Sequence, residues 1–376
     1  FFLIEMGDVA QVVMEKSPDE SCTYLSEIIG DESASGKMMP TGAVLDLMDL
    51  AAGRVAFNHV KGMVATVSFD HVELIMPVCH MDLVRVEGRL VSVGSSSLVV
   101  RVIAYKEDRH TRTFVKSTAS YITMVALHKE TLRPNKNIPK LKLEKEEDLQ
   151  EEMKVKARKM LFTKWIEMQQ QDAESILNAN DVLDQSFHDN KREHLSIAQT
   201  QVEVRKQCLP RHLNPNQTLF GGDILIWMEQ VATYTAKRFT GNEHMITLTM
   251  DRVSFTQPIT MRDVLEMKAY VVYVRNYLLQ VQVTAFVDKV GNRSDLKLSH
   301  TGFFEILNLD SLGFKRPIMT GINLNSATQE ELHMYNNAKK RFYFQNDAKK
   351  LAQSKTQQNS SETKNRSFFF KKDDEL

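Results

Sequence analysis

Cysteine is scarce: Cys22, Cys79 and Cys208 are the only three in 376 residues. They stand far apart with no metal-ligand spacing, which argues against a disulfide framework and against a zinc or redox centre. No stretch approaches the roughly 20 apolar residues that a membrane-spanning helix needs. Net charge is missing too, since 48 Lys and Arg balance 48 Asp and Glu, so no global field draws the chain to nucleic acid. What remains, 42% hydrophobic and 26% charged residues, is the composition of a globular protein, long enough for two or three cores. The chain opens at Phe1 rather than Met, which leaves room for a targeting segment ahead of it. Its end, Asp373-Asp374-Glu375-Leu376, reads either as a near match to an endoplasmic-reticulum retrieval signal or as a charged tail ending in Glu-Leu.

What the sequence does contain is a repeat of itself. A shift of 180 residues lays Gly42 on Gly222, Leu45 on Leu225, Met48 on Met228 and Asp49 on Glu229. After a slip of one residue, Asp70-His71-Val72 meets Asp251-Arg252-Val253, Pro77 meets Pro258 and Asp82 meets Asp263. Each copy opens with a Gly-led helix, Val44–Asn58 or Ile224–Phe239, apolar on most faces and therefore expected to be buried. Strands follow at Met63–Phe69, Leu83–Val91, Leu98–Tyr105 and Ser117–Leu127 in the first copy. Their counterparts are Ile246–Met250, Val264–Val274, Leu278–Asp288 and Lys297–Leu307, several with the apolar/polar alternation of half-buried strands. One buried helix followed by adjacent strands predicts an α+β class in which an antiparallel sheet wraps a central helix.

The expected domains are 1–130 and 199–310. Between them, residues 131–198 form a charged helical linker whose opposite charges near helical spacing read as a solvated helix rather than a basic patch for nucleic acid. A helical extension occupies 311–352, and 353–376 is polar enough to be disordered. The Phe368-Phe369-Phe370 run in that tail has no place in this scheme.

The chemistry-bearing motif is Asn214-Pro215-Asn216-Gln217-Thr218-Leu219-Phe220-Gly221-Gly222, leading directly into a helix. Two glycines admit a close backbone approach, and a helix start carries unpaired N–H groups and positive dipole charge able to hold an oxyanion. The same pattern also serves as a plain turn and cap.

The run Asn214…Phe220-Gly221-Gly222-x₅-Met228-Glu229-x₂-Ala232 resembles the signature of hot-dog acyl-CoA thioesterases, and Gly42-x₅-Met48-Asp49-Leu50-Ala51-Ala52 is similar to the same helix. The following segments, Val67-Ser68-Phe69-Asp70-His71-Val72 and Thr249-Met250-Asp251-Arg252-Val253-Ser254-Phe255, fit as well. The resemblance covers roughly residues 20–130 and 200–345 and is to the two-domain, mitochondrial-type members. It implies tandem hot-dog domains that pair like two subunits, with each site at the junction built from both. An acid on one central helix meets an Asn from the loop of the other copy. Carried over position by position, the complete set is Asp49 with Asn214. The mirror pair, Glu229 with Ala34, lacks the amide, and one of its glycines is Thr41.

The roles implied are as follows. Asp49 acts as general base on water or attacks the thioester directly, Asn214 holds the water or the carbonyl, and an N–H near Gly222 stabilises the oxyanion, with Gly42 as the other source. Gly221, Asn216, Thr218, Glu229 and Gly42 are substrate-binding candidates, while Asp46 caps, pairs or faces solvent. The acyl chain would run along Leu45, Met48, Trp227, Met228 and Val231, and CoA phosphates would meet Arg54, Lys61, Lys237 or Arg238. No cofactor or metal is expected beyond the CoA of the substrate. A trimer of double units and a mitochondrial location follow from the same resemblance. Two rivals remain, a non-catalytic acyl-CoA binding protein and a hot-dog dehydratase. The second is disfavoured because no His stands in either catalytic loop or helix.

Overall fold

A computed structural model describes residues 14–173, 175–188, 191–289 and 296–357. Phe1, the Phe368-Phe369-Phe370 run and the C-terminal Asp373-Asp374-Glu375-Leu376 lie outside the described residues. The first copy comprises β1 (Thr23–Ile29), α1 (Gly42–Val60), β2 (Met63–Phe69), β3 (Val72–Glu73), β4 (Asp82–Val93), β5 (Ser97–Glu107) and β6 (Phe114–Leu127). After α2 (Glu146–Ala173) the order recurs as β7 (Val202–Gln207), α3 (Gly221–Thr240), β8 (Met245–Met250), β9 (Val253–Ser254), β10 (Asp263–Val274), β11 (Leu278–Lys289) and β12 (Lys297–Asn308). The last helix, α4, runs Gln329–Gln357, five residues past the Ala352 expected from sequence.

Two six-stranded antiparallel sheets result, ordered β9-β2-β6-β5-β4-β1 and β7-β10-β11-β12-β8-β3. Each therefore ends in a two-residue strand donated by the other copy: Val253 pairs with Phe69, and Met250 pairs with Val72. The sheets wrap their own helix, with α1 on the first and α3 on the second, and the two helices pack on each other. Alternation drives this arrangement. Val84, Val86 and Leu90 on β4 are fully buried beneath α1, and Met267, Ala269 and Val271 on β10 are fully buried beneath α3. Bulges recur at matching places, between Thr66 and Ser68 on β2 and between Thr247 and Thr249 on β8. The fold is a tandem pair of hot-dog units, α+β in class.

The charged segment after the first copy is more than a solvated spacer. Helix α2 lies on the outer face of the first sheet, where Arg89 grips Asp148 through two hydrogen bonds of 3.0 Å and the Tyr121 hydroxyl donates to Glu151 at 2.7 Å. Helix α4 lies on the second sheet in the same relation, its buried Arg341 pairing with Asp251 at 2.9 Å and donating to Gln280 at 3.1 Å. Each copy thus carries its own trailing helix. The high charge of α2 hid this, because only Val155 and Asp148 along it are buried.

Candidate active site

The two central helices approach most closely at their first turns, and the glycines there are explained by that approach. A Cβ on Gly42 would fall 2.7 Å from the Cα of Ile226, and one on Gly222 would fall 2.7 Å from the Cα of Asp46. These contacts are related by the repeat, since Asp46 and Ile226 are themselves 180 residues apart. The sequence reading had the glycines admit a ligand; what they admit is the backbone of the opposite helix.

Close approach places each acid at the N-terminus of the other helix. Asp49 is fully buried; its Oδ2 accepts the Gly222 N–H at 3.0 Å and its Oδ1 accepts the Thr66 hydroxyl at 2.7 Å. Glu229, 2% exposed, accepts the Thr41 N–H at 2.9 Å and the Gly42 N–H at 2.7 Å. Unpaired N–H groups and the helix dipole favour a carboxylate there, but burial opposes them. Burial pushes Asp49 up to about 7, against the Thr66 and Gly222 donors that draw it down. It raises Glu229 as well, against the Gly42 N–H, Thr247 and Thr41. Asp46, on the same face one turn earlier, is raised to about 6 by burial and by the neighbouring Asp223.

Thr66 was not singled out from the sequence. The bulge beside it turns its hydroxyl toward Asp49. A signal existed, since a Thr stands 17 residues after Asp49 and 18 after Glu229, at Thr66 and Thr247.

The loop leading into α3 is held by its own side chains. Asn214 Oδ1 accepts the N–H of Asn216 at 2.9 Å, the N–H of Thr218 at 3.2 Å and the Thr218 hydroxyl at 3.1 Å. Asn216 crosses the junction and donates its Nδ2 to the Val64 carbonyl at 2.8 Å. It thereby ties the loop to β2, the strand that carries Thr66. Among the described residues no hydrogen bond joins Asn214 to Asp49, and the Gly222 N–H, expected at an oxyanion, is taken by the Asp49 carboxylate.

The matching loop ahead of α1 is built otherwise. Gly36, with φ +80°, stands where Asn216 stands in the second copy, so the tether has no counterpart. A cavity of about 1310 Å³ opens on this side, with Met38, Thr41, Glu229, Thr233, Thr247 and Leu309 among its lining. The large cavity thus lies at the acid whose loop lacks the amide, not at Asp49. Leu45, Met48, Trp227, Met228 and Val231, expected along an acyl chain, are core residues at most 6% exposed and line none of it. They face the sheets that wrap the helices. Of the basic candidates Lys237 lines the cavity, whereas Arg54 stacks over Phe57, Lys61 caps α1 and Arg238 lies in the last turn of α3.

Helix α1 runs two residues past Asn58 and so takes in His59, contrary to the expectation of no histidine in either helix. The ring sits at the far end from Asp49, within hydrogen-bond distance of the Ser21 hydroxyl and the Pro139 carbonyl. It closes the helix rather than serving the site. Among the described residues no group of His, Cys, Asp and Glu could hold a metal ion, and no helix is long and apolar enough to cross a membrane.

The thioesterase superfamily model matches this chain twice, over residues 39–113 and 216–292. Each match takes in the central helix and the strands that follow it, ends before the last strand of its copy, and in the second copy begins two residues after Asn214. An uncharacterised acyl-CoA thioester hydrolase of Bacillus subtilis is 27% identical over 143 residues, 38% of this chain and 80% of that protein. A mitochondrial acyl-coenzyme A thioesterase of Humulus lupulus is 25% identical over 358 residues, 85% of this chain and 66% of that protein. This chain spans smaller shares, 65% and 39%, of related proteins from Zymomonas mobilis and Mus musculus. Among solved structures, an acyl-CoA hydrolase from Staphylococcus aureus in complex with butyryl coenzyme A, coenzyme A and coenzyme A disulfide is 24% identical. That match covers 44% of this chain and 97% of its own, with a TM-score of 0.39.

Proposed function

This chain belongs to the thioesterase superfamily as a tandem pair of hot-dog domains, and on that premise we propose that it hydrolyses acyl-CoA thioesters to a fatty acid and coenzyme A. One observation carries the placement of the chemistry: Asp49 is a buried carboxyl, held at about 7 between Thr66 and the N-terminus of α3. A base poised near the working pH is suited to taking a proton from water.

Asp49 accepts a proton from a water, whose oxygen bonds to the thioester carbonyl carbon. The carbonyl π electrons move to oxygen, and the Asn214 amide stabilises that oxyanion. Its Nδ2 is the group that the loop leaves unused, since its Oδ1 already accepts three local donors. The oxyanion then collapses, the carbon–sulfur bond breaks, and the proton held by Asp49 passes to the departing CoA sulfur. Gly222, its N–H spent on Asp49, orients the base, with Thr66 on the other oxygen. Gly221 leaves room for that carboxylate, since a Cβ there would fall 2.7 Å from Asp49 Oδ2. Asn216 and Thr218 set the loop that carries Asn214.

Thiol release from a panel of acyl-CoA esters tests this reading. Asp49→Asn and Asn214→Ala are each expected to lose at least about a hundredfold in kcat. Near-normal turnover in either variant removes that residue from the mechanism, and no turnover of any ester by the wild type leaves binding without catalysis. A mitochondrial location and a trimer of double units are carried as part of the proposal. Imaging of an internally tagged chain and sedimentation equilibrium test them, and the retrieval reading of the C-terminus predicts the endoplasmic reticulum instead.

A further inference from the structure

The repeat makes two junction sites, and the chemistry and the space have separated between them. The Asp49 side has Asn214 and a loop drawn onto β2 by Asn216. The Glu229 side has Ala34 in place of the amide, Gly36 in place of the tether, and the cavity of about 1310 Å³. That volume exceeds the roughly 300–1,000 Å³ of ordinary small-molecule sites. Its walls are apolar, with Met38, Leu248 and Leu309 among them. At the rim the turn that starts at Asp310 leaves Leu312 and Phe314 80% and 68% exposed. Exposed side chains of that size beside a cavity mouth mark a surface that meets an apolar ligand. Three cations, Lys106, Lys237 and Lys315, also line it.

The polar floor is specific. Glu229 has both oxygens occupied by main-chain N–H groups of the first turn of α1. Thr247, 6% exposed, lies near enough to favour the charged form of that carboxyl, and among the described residues its hydroxyl makes no hydrogen bond of good geometry. A buried hydroxyl without a partner is costly unless something else supplies the bond. A ligand carbonyl would supply it.

We propose that the Glu229 cavity is a second acyl-CoA site that binds the thioester and does not hydrolyse it. The acyl chain occupies the apolar walls, the thioester carbonyl accepts from the Thr247 hydroxyl, and Lys237 meets the phosphates. A free fatty acid fits less well, because its carboxylate would face the buried Glu229 carboxyl on the cavity floor. With Ala34 in place of an amide, this side has no counterpart of the Asn214 donor to the oxyanion. The proposal takes its ligand class from the hydrolase reading above, but its test counts bound molecules and does not depend on turnover.

The probe is a ketone analogue of a medium-chain acyl-CoA, in which a methylene between sulfur and carbonyl prevents hydrolysis, titrated calorimetrically into the full chain. Wild type and Asp49→Asn should each bind two molecules per chain. Thr233→Trp, which fills the cavity from a half-buried helix position, should bind one. Thr247→Val keeps the shape of the side chain and removes the hydroxyl, and it should weaken one of the two events about tenfold. One molecule per wild-type chain, or two in Thr233→Trp with unchanged affinity, overturns the site. Stronger binding of the free fatty acid overturns the ligand class. Turnover surviving in Asp49→Asn but lost in Asp49→Asn/Glu229→Gln overturns the claim that the site does not hydrolyse. A wild type that binds two analogues but hydrolyses no ester sinks the catalytic reading and leaves this one standing.

Discussion

The Asp49 carboxylate and the Gly222 N–H meet across the junction of the two copies at 3.0 Å, so the first turn of one central helix holds the acid of the other. Glu229 and Gly42 repeat the contact in mirror image at 2.7 Å. Burial raises both acids against these donors, and the balance at Asp49 sets how the protein should respond to pH.

A general base must be deprotonated to act. With Asp49 at about 7, kcat/KM for any acyl-CoA that the protein hydrolyses should rise tenfold per pH unit below about 7 and level off above it. A stopped-assay profile from acid to mildly alkaline pH checks this. A profile flat down to pH 5 would mean that a group with an ordinary carboxyl pKa is acting instead.

The same shift links stability to pH with the opposite sign. Folding raises Asp49 from its ordinary 3.8 to about 7, so the folded state holds this proton more tightly than the unfolded chain. The stability that the proton contributes is full below about pH 4 and is lost as pH rises through 7, up to about 4 kcal/mol. Asp49→Asn keeps an oxygen to accept the Gly222 N–H, offers its Nδ2 to the Thr66 hydroxyl, which can turn to accept, and never ionises. It should melt above wild type at pH 8 and close to it at pH 4, by differential scanning calorimetry at both values. Equal melting at pH 8 would place Asp49 in a wetter site.

In the proposed mechanism Thr66 acts on the base and not on the substrate. Thr66→Val removes the hydroxyl that donates to Asp49 at 2.7 Å, and a hydrogen bond to a charged group is worth about 1.5–3 kcal/mol. The acid limb of the rate profile should therefore move up by about one pH unit or more. At pH 9 most of the activity should return, while at pH 6 it should be tenfold or more below wild type. A uniform loss at every pH would point to misfolding or substrate contact, and Thr66→Ser should restore the original limb.

The repeat made the fold legible. Met63–Phe69 is the strand predicted for it, and the other long strands and central helices miss by three residues or fewer at their ends. The edge strands β1 and β7 and the exchanged strands β3 and β9 were not foreseen. The exchanged pair is only two residues each, and its pairing depends on the other copy rather than on any local pattern. The acids were legible because a carboxyl in an apolar helix needs a partner. The partners were not, because Gly222 and Thr41 donate through main chain that any residue has. Asn216, expected at the substrate, was not foreseen as a clasp between the copies. The cavity could not be read at all, since it comes from what Gly36 fails to bridge.

The strand exchange predicts how the halves behave apart. Without the second copy, β2 loses its pairing with Val253-Ser254, Asp49 loses the Gly222 N–H, and Val64 loses the Asn216 clasp. Without the first, Glu229 loses both of its main-chain donors. Each half would also bare the helix face that now packs on its twin, a buried apolar surface around Leu45 or Leu225. Cutting the chain after α2 and producing the pieces separately should give aggregation or self-association and activity down by more than about a hundredfold. Producing them together should restore a one-to-one complex with most of the activity, because the contacts that build the site are non-covalent. Chromatography with light scattering and a thioesterase assay on each preparation decide it. Full activity from a single half would detach the site from the junction and with it the pairing of Asp49 with Asn214.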